Sequence, residues 1–552
     1  MTRPMYQDAN DAVAVLRSTM VLLLLLLMLS LSSFPSVTAK CPEKCTCDEA
    51  YVNCYFKELD RIPDRIPPDT ELLILNNNKI TNLKNGAFAK LSKLKTLFLE
   101  ENKIKNIETR VFNNVTSLEF LFLYNNTIHK LNLEMFKGLK KLVKLDLSHN
   151  IIRNIPPGTF DSLTSLSVLT LNYNKISNLK NGAFANLSKL QTLFLNENKV
   201  ENIRTGVFNN LTSLETLTLD HNKIHKLDLE MFKGLIKLDS LDLSHNIIRN
   251  IPPGTFDSLT SLSVLMLNYN KISNLKNGAF ANLSKLQTLF LHENKIENIR
   301  IGVFNNLTSL EILTLDHNKI HKLDLEMLKG LTRLRLLDLR LNKIRNIPPG
   351  IFDSLTSLNI LKLVHNPLTC DCNNLLFVNV LKKNYPQLDV FGDYGSLCHF
   401  EVEMSEKSLI ELTENNFNCT SPDIIVVPEN KTVWVGEELQ LSCKAVGDPE
   451  PLITWAKDDI YLELGQRVQV FQNNTLIISK VERTDGGQYK CMASNYLGRK
   501  SFVAMVNVNG SAENGYNTMF GVILFFIFII IIPVICVFYT IFYRYVSALI
   551  IV

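Results

Sequence analysis

The sequence has almost no excess of charge of either sign. Its 58 lysines and arginines face 54 aspartates and glutamates, which leaves a net charge of +4 on 552 residues. That is too small a field to point to a nucleic-acid partner. Catalytic patterns are missing as well: there is no nucleophile elbow, no phosphate loop and no paired-carboxylate arrangement with a supporting context. His149, His221, His245, His317 and His365 each precede an asparagine. Adjacent pairs such as His221 and His245 suggest a zinc chelate, yet no cysteine or glutamate accompanies them at metal spacing. An enzyme has no residue to rest on, so neither a cofactor nor a metal is expected.

What the sequence does have is a period. Over residues 70–366 an asparagine returns every 24 positions: Asn78, Asn102, Asn126, Asn150, Asn174, Asn198, Asn222, Asn246, Asn270, Asn294, Asn318, Asn342 and Asn366. Each closes the same frame, as in Leu94, Leu97, Leu99, Asn102, Ile104, Ile107, Phe112 and Val115. This frame resembles the leucine-rich repeat, in which one unit cannot bury its own apolar face and neighbours must stack. Side chains alternate along a short strand, so Leu97 and Leu99 point inward while Thr96, Phe98 and Glu100 point outward. The expected fold is a solenoid with a parallel sheet, its asparagine amides satisfying backbone groups where each strand turns away. The departures are few: Thr70 replaces the leading leucine of the first unit, and Leu328 a phenylalanine in the eleventh.

A longer period overlies the first. Asn-Leu-Lys-Asn-Gly-Ala-Phe-Ala begins at Asn82, Asn178 and Asn274, and Asn-Ile-Pro-Pro-Gly at Asn154, Asn250 and Asn346. Both recur every 96 residues, so a block of four repeats is present three times.

The flanks are rich in cysteine. Residues 1–19 form a polar leader with Arg3 and Arg17, followed by an apolar run from Val21 to Leu31 and the small residues Val37-Thr38-Ala39. This is the pattern of a secretory signal, with an uncleaved anchor as the alternative and Met5 or Met20 as possible starts. Cys41, Cys45, Cys47 and Cys54 follow at once. They suit zinc by number, but disulfides by their position behind a secretion signal. Their spacing resembles the N-terminal cap of extracellular leucine-rich repeat proteins, which implies pairs Cys41–Cys47 and Cys45–Cys54. Cys370, Cys372, Cys398 and Cys419 resemble the C-terminal cap, implying Cys370–Cys398 and Cys372–Cys419. Beyond them Cys443, Trp455, Tyr489 and Cys491 carry the marks of an immunoglobulin sandwich closed by Cys443–Cys491. Gly447-Asp448-Pro449-Glu450-Pro451 and Ala493-x-Asn495-x-x-Gly498 resemble its I-set branch.

Met519 to Phe542 is apolar and uncharged, with Pro533 expected to kink a helix and Arg544 just past its end. That length suits a hydrocarbon core of about 30 Å. The opposing reading is a lipid-anchor signal built on Asn509-Gly510-Ser511-Ala512 and the apolar tail. Cys536 is a palmitoylation candidate or part of the apolar core, and Ile550-Ile551-Val552 a terminal strand for a PDZ domain. Ten Asn-x-Ser/Thr sequons begin at Asn114, Asn125, Asn186, Asn210, Asn282, Asn306, Asn418, Asn430, Asn473 and Asn509, all between signal and helix. Most of those in the array fall just after the phenylalanine column, away from the sheet.

The resulting order is a signal over 1–39, a cysteine-rich cap over 40–69, repeats over 70–366 and a second cap over 367–420. An I-set domain over 421–509, a stalk over 510–518, a membrane helix over 519–542 and a short tail over 543–552 complete it. This order resembles the leucine-rich repeat and immunoglobulin domain transmembrane receptors of the Lingo type. The resemblance implies a single-pass type I protein of the plasma membrane acting in adhesion or as a co-receptor for a protein ligand, in neurons among other cells. It also implies self-association as a second mode. A pattern-recognition receptor for microbial surfaces is the alternative. Peroxidasin-type enzymes share the repeats and immunoglobulin domains, but the sequence holds no catalytic domain of that kind. Candidate contacts are Phe98, Phe120, Phe122 and Tyr124, which cluster on the sheet face. Asp220, Asp242, Asp316 and Asp338 form an acidic stripe further along. A lysine column beside the asparagines, including Lys79, Lys175, Lys223 and Lys319, would make a basic rim suited to a sulfated glycan.

Overall fold

The computed structural model describes residues 41–300, 302–348, 350–384, 397–399, 406–408, 413, 417–510, 529 and 532–548. The signal over 1–39, residues 511–518 of the stalk and half of the predicted membrane segment lie outside them. The chain divides into two compact units, Met1–Ile320 with Glu326–Arg340 and Asp353–Ile360, and the remainder.

In the first unit every repeat contributes one three-residue strand to a single sheet, as Thr96–Phe98, Phe120–Phe122 and Lys144–Asp146 do in succession. Pairing is parallel and in register: Leu97 faces Leu121, and Leu121 faces Leu145. An offset of 24 residues between partners is what aligns the leucines into a buried row. On the opposite side the phenylalanines form their own column. Phe88, Phe112, Phe136, Phe160, Phe184 and Phe208 are buried, and successive rings stack at 5.8 to 6.4 Å. Offset stacks of this kind add to the area term of burial.

The asparagines close each turn. Asn222 Nδ2 donates to the carbonyls of Leu195, Leu219 and Asp220, and its Oδ1 accepts from the N–H of Val200. The same pattern recurs from Asn102 to Asn318. One side chain thus satisfies groups from two neighbouring turns that no strand partner reaches. The residue just before each asparagine pays for this turn with a left-handed backbone: Glu101, His149, Tyr173, His221 and Tyr269 all have φ between 50° and 53°.

At the N-terminal end the Thr46–Asp48 and Tyr51–Asn53 hairpin pairs in parallel with Leu72–Ile74 and covers the open edge of the sheet. Disulfides Cys41–Cys47 and Cys45–Cys54 fasten it.

In the second unit the helix Cys372–Asn384 is capped by Asp371, whose carboxylate accepts from the N–H of Asn374 at 2.9 Å. Asn374 is fully buried and donates to the carbonyls of Arg345 and Thr369. Its Oδ1 accepts from the N–H of Ile347. Disulfides Cys370–Cys398 and Cys372–Cys419 brace this cap.

The sandwich that follows has a five-stranded sheet centred on Gly487–Asn495 and a three-stranded sheet centred on Leu476–Ile478. Trp455, Tyr489, Leu439, Leu476 and the Cys443–Cys491 disulfide fill the space between. Tyr489 donates its hydroxyl to the carbonyl of Asp485, and Arg467 pairs with the Asp485 carboxylate at 2.6 Å.

The last described helix, Ile532–Ala548, differs from its expected course. It runs unbroken past residue 542 into the predicted tail. The residues just before Ile532, where a kink at Pro533 would show, lie outside the described residues. No helix among the described residues is long and apolar enough to cross a membrane.

Candidate functional site

The sheet face carries the exposed chemistry of the repeats, because strand alternation sends every second side chain away from the leucine core. Phe98 and Phe122 are register partners, and their rings stack at 4.8 Å and 7°. Phe120 lies on the same strand as Phe122, and Lys144 on the next strand holds its ammonium 5.3 Å from the Phe122 ring centre. All four side chains are half-buried, packed by neighbours on one side and open on the other. This makes a cationic and aromatic patch of the type that anchors protein interfaces.

Tyr124 belongs elsewhere. Its ring meets His149 edge-on at 4.9 Å, and His149 stacks on Tyr173 at 4.1 Å. A second ladder follows: His221 on His245 at 4.0 Å and His245 on Tyr269 at 4.2 Å. His149, Tyr173, His221, His245 and Tyr269 share the left-handed backbone, and identical φ in successive turns points their rings along parallel directions; Tyr124 precedes that position and meets the ladder edge-on. The histidines are therefore stacked rings. Among the described residues no cluster of histidines, cysteines and carboxylates suits a metal.

The acidic stripe differs from a solvated surface. Asp146, the first-block counterpart of the stripe's Asp242 and Asp338, is 6% exposed and accepts from the Ser148 N–H, the Ser148 hydroxyl and the Thr170 hydroxyl. Asp338 is 3% exposed and is held by the Arg340 guanidinium at 2.6 Å. Burial, reinforced by the neighbouring Asp220, pushes the Asp242 carboxyl up to about 6. Burial also lowers His245 to about 4, with His221 and His292 pushing the same way. The lysine rim is partly neutralised, since Lys79 pairs with Glu58 and Lys319 with Glu297.

Glu100 borders the aromatic patch. Its Oε2 is buried without a hydrogen-bond partner, and burial raises its carboxyl to about 8, helped by the charges of Asp146 and Glu101. Strand alternation predicts Glu100 outward; in the fold the residue is half-buried. An acid held protonated in the fold disfavours folding as pH rises, because the unfolded chain ionises near 4.5 and the folded chain only near 8. Glu100→Gln is therefore expected to leave stability unchanged at pH 4. It should raise stability by about 1–3 kcal/mol at pH 8.5, allowing for partial solvation. Thermal melts at the two pH values check this; equal effects at both would refute it.

All ten sequon asparagines are exposed. Asn114, Asn210 and Asn306 each donate Nδ2 to the backbone of the preceding turn, on the side of the phenylalanine column.

Comparison with known proteins agrees with this geometry. The description "Leucine rich repeat" matches residues 68–128, 121–176, 164–224, 212–272, 260–320 and 308–368, and "Immunoglobulin I-set domain" matches 422–508. The chain is 34% identical to the peroxidasin homolog of Homo sapiens over 133 residues, 24% of this chain and 9% of that protein. It is 32% identical to leucine-rich repeat and fibronectin type-III domain-containing protein 2 of Mus musculus over 143 residues, 26% of this chain and 17% of that protein. The chain in the crystal structure of the TLR13–ssRNA13 complex aligns with a TM-score of 0.52 and 27% identity, covering 63% of this chain and 54% of that one. The chain thus spans less than a fifth of either curated relative.

Proposed function

The chain belongs to the leucine-rich repeat family, with an immunoglobulin I-set domain beside its repeats, and on that premise we propose that it is a single-pass cell-surface protein. It binds an extracellular protein ligand through the sheet face of the repeats and acts in adhesion or as a co-receptor. The observation that carries this reading is the Phe98–Phe122 stack with Phe120 and Lys144, which the chain itself leaves open. Five disulfides favour an oxidising compartment. The apolar stretch from Met519 and the exposed apolar side chains of the Ile532–Ala548 helix favour membrane attachment. Attachment through a lipid anchor remains the alternative to a span, and release by a phosphatidylinositol-specific phospholipase separates the two.

Recognition of microbial surfaces is the second reading. The near-identical 96-residue blocks favour it, since repeated copies suit a repetitive ligand better than one sculpted contact. Purified ectodomain applied to animal cells and to microbial wall preparations decides between them. Saturable binding to animal cells, lost on protease treatment of those cells, is the expected result. Binding to microbial walls alone would overturn the adhesion reading.

A further inference from the structure

The three blocks are close copies, so a place where one differs from the others acts as an internal control. In the first block the Asn85 N–H donates to the carboxylate of Glu108, in the next repeat, at 2.7 Å. The second block has Arg204 at that position and the third has Arg300. The backbone is the same in all three: the N–H groups of Glu108, Arg204 and Arg300 donate to the carbonyls of Leu83, Leu179 and Leu275. What changes is the occupant. Among the described residues the N–H of Asn181, the counterpart of Asn85, makes no hydrogen bond, and neither Lys180 nor Arg204 has an acidic partner. The Asn106 amide of the first block donates to Asn82 at 3.0 Å, whereas Asn202, its counterpart, makes no such bond.

These groups surround a cleft of about 830 Å³ lined by Pro157, Asn178, Lys180, Asn181, Asn202 and Arg204. It presents two cations, an amide and a free backbone donor around the space where the first block places its own carboxylate. We propose that this cleft binds the sulfate or carboxylate groups of an acidic polysaccharide chain, with Lys276 and Arg300, at the same repeat positions in the third block, as a second point of contact. A linear polyanion fits better than a small ion. The two positions lie four strands apart, roughly 19 Å along the stacking direction at the usual strand spacing, and a single chain reaches both. The site is separate from the sheet-face patch, and unlike Lys79 and Lys319 of the lysine rim, Lys180 and Arg204 form no ion pair among the described residues.

The first block supplies the test. Arg204→Glu with Arg300→Glu installs the residue that block already carries, so the fold tolerates it. Binding of the ectodomain to an immobilised heparin oligosaccharide is measured by surface plasmon resonance. The double variant should bind at least tenfold more weakly, and Glu108→Arg, which adds a third point of contact, at least twofold more tightly. Lys137→Glu with Lys233→Glu, equal in charge change and exposed, should stay within twofold of the parent. Fully desulfated oligosaccharide identifies the anion: loss of binding assigns sulfate, retention assigns carboxylate. Inorganic sulfate should compete only at far higher concentration. Retention of parental affinity by the Arg204→Glu, Arg300→Glu protein overturns the proposal, as does an equal loss in the charge-matched control.

Discussion

Asn222→Ala should destabilise the repeat array by about 3–5 kcal/mol. The substitution strands the Val200 N–H and removes a donor from the Leu195, Leu219 and Asp220 carbonyls, in a position only 8% exposed. Each buried group left unsatisfied costs about 1–3 kcal/mol. Asn222→Asp keeps the acceptor and the size but turns a carboxylate towards three carbonyl oxygens, so it should be no milder. Because stability in a stacked array is a sum of local and nearest-neighbour contributions, the loss should be local. Hydrogen exchange should show amides of the flanking turns, Val200 among them, exchanging faster while the immunoglobulin sandwich keeps its protection. Uniform protection in the variant would contradict the role given to the asparagine column.

Phe122→Ala should weaken binding of the protein ligand by about 30-fold, the effect of losing an interface anchor worth about 2 kcal/mol. The side chain stacks on Phe98 and lies under Lys144, so its removal also loosens both neighbours. Secreted yield and melting temperature should hardly change, because the ring is half-exposed and lies outside the leucine core. Phe194 occupies the same strand position in a later repeat, flanked by Thr170 and Thr218. Phe194→Ala should therefore leave affinity within twofold. Equal losses at both positions would mean that the sheet face is sticky throughout and that the stack is no anchor.

The repeat frame was legible because each unit states its own register. Leu97, Leu99, Asn102 and Phe112 recur at fixed offsets, and a parallel sheet with a 24-residue pairing offset follows directly. Interactions that cross between repeats were less visible. That His149 precedes an asparagine is plain in the sequence. That this position is left-handed, and so stacks His149 on Tyr173, depends on how the asparagine closes the turn. Asp146 sits at the strand position of the stripe's Asp242 and Asp338, and only the fold shows the hydroxyls of Ser148 and Thr170 around it. Tyr124 meets the ring ladder and not the phenylalanine stack through a neighbour 25 residues away, which the repeat frame alone does not show.

The account rests on the sheet face of the repeats as the binding surface, and a glycan wedge tests that most directly. Val168→Asn creates an Asn-x-Thr sequon with Thr170, two strands from Phe122, or roughly 10 Å at the usual strand spacing. Flow cytometry would compare this glycosylated ectodomain with the parent and with Asn210→Gln, which removes a sugar site from the opposite side. The account predicts that the Val168→Asn protein is secreted normally and no longer binds animal cells, while Asn210→Gln binds as the parent does. Undiminished cell binding by a Val168→Asn protein shown to carry its sugar would contradict it.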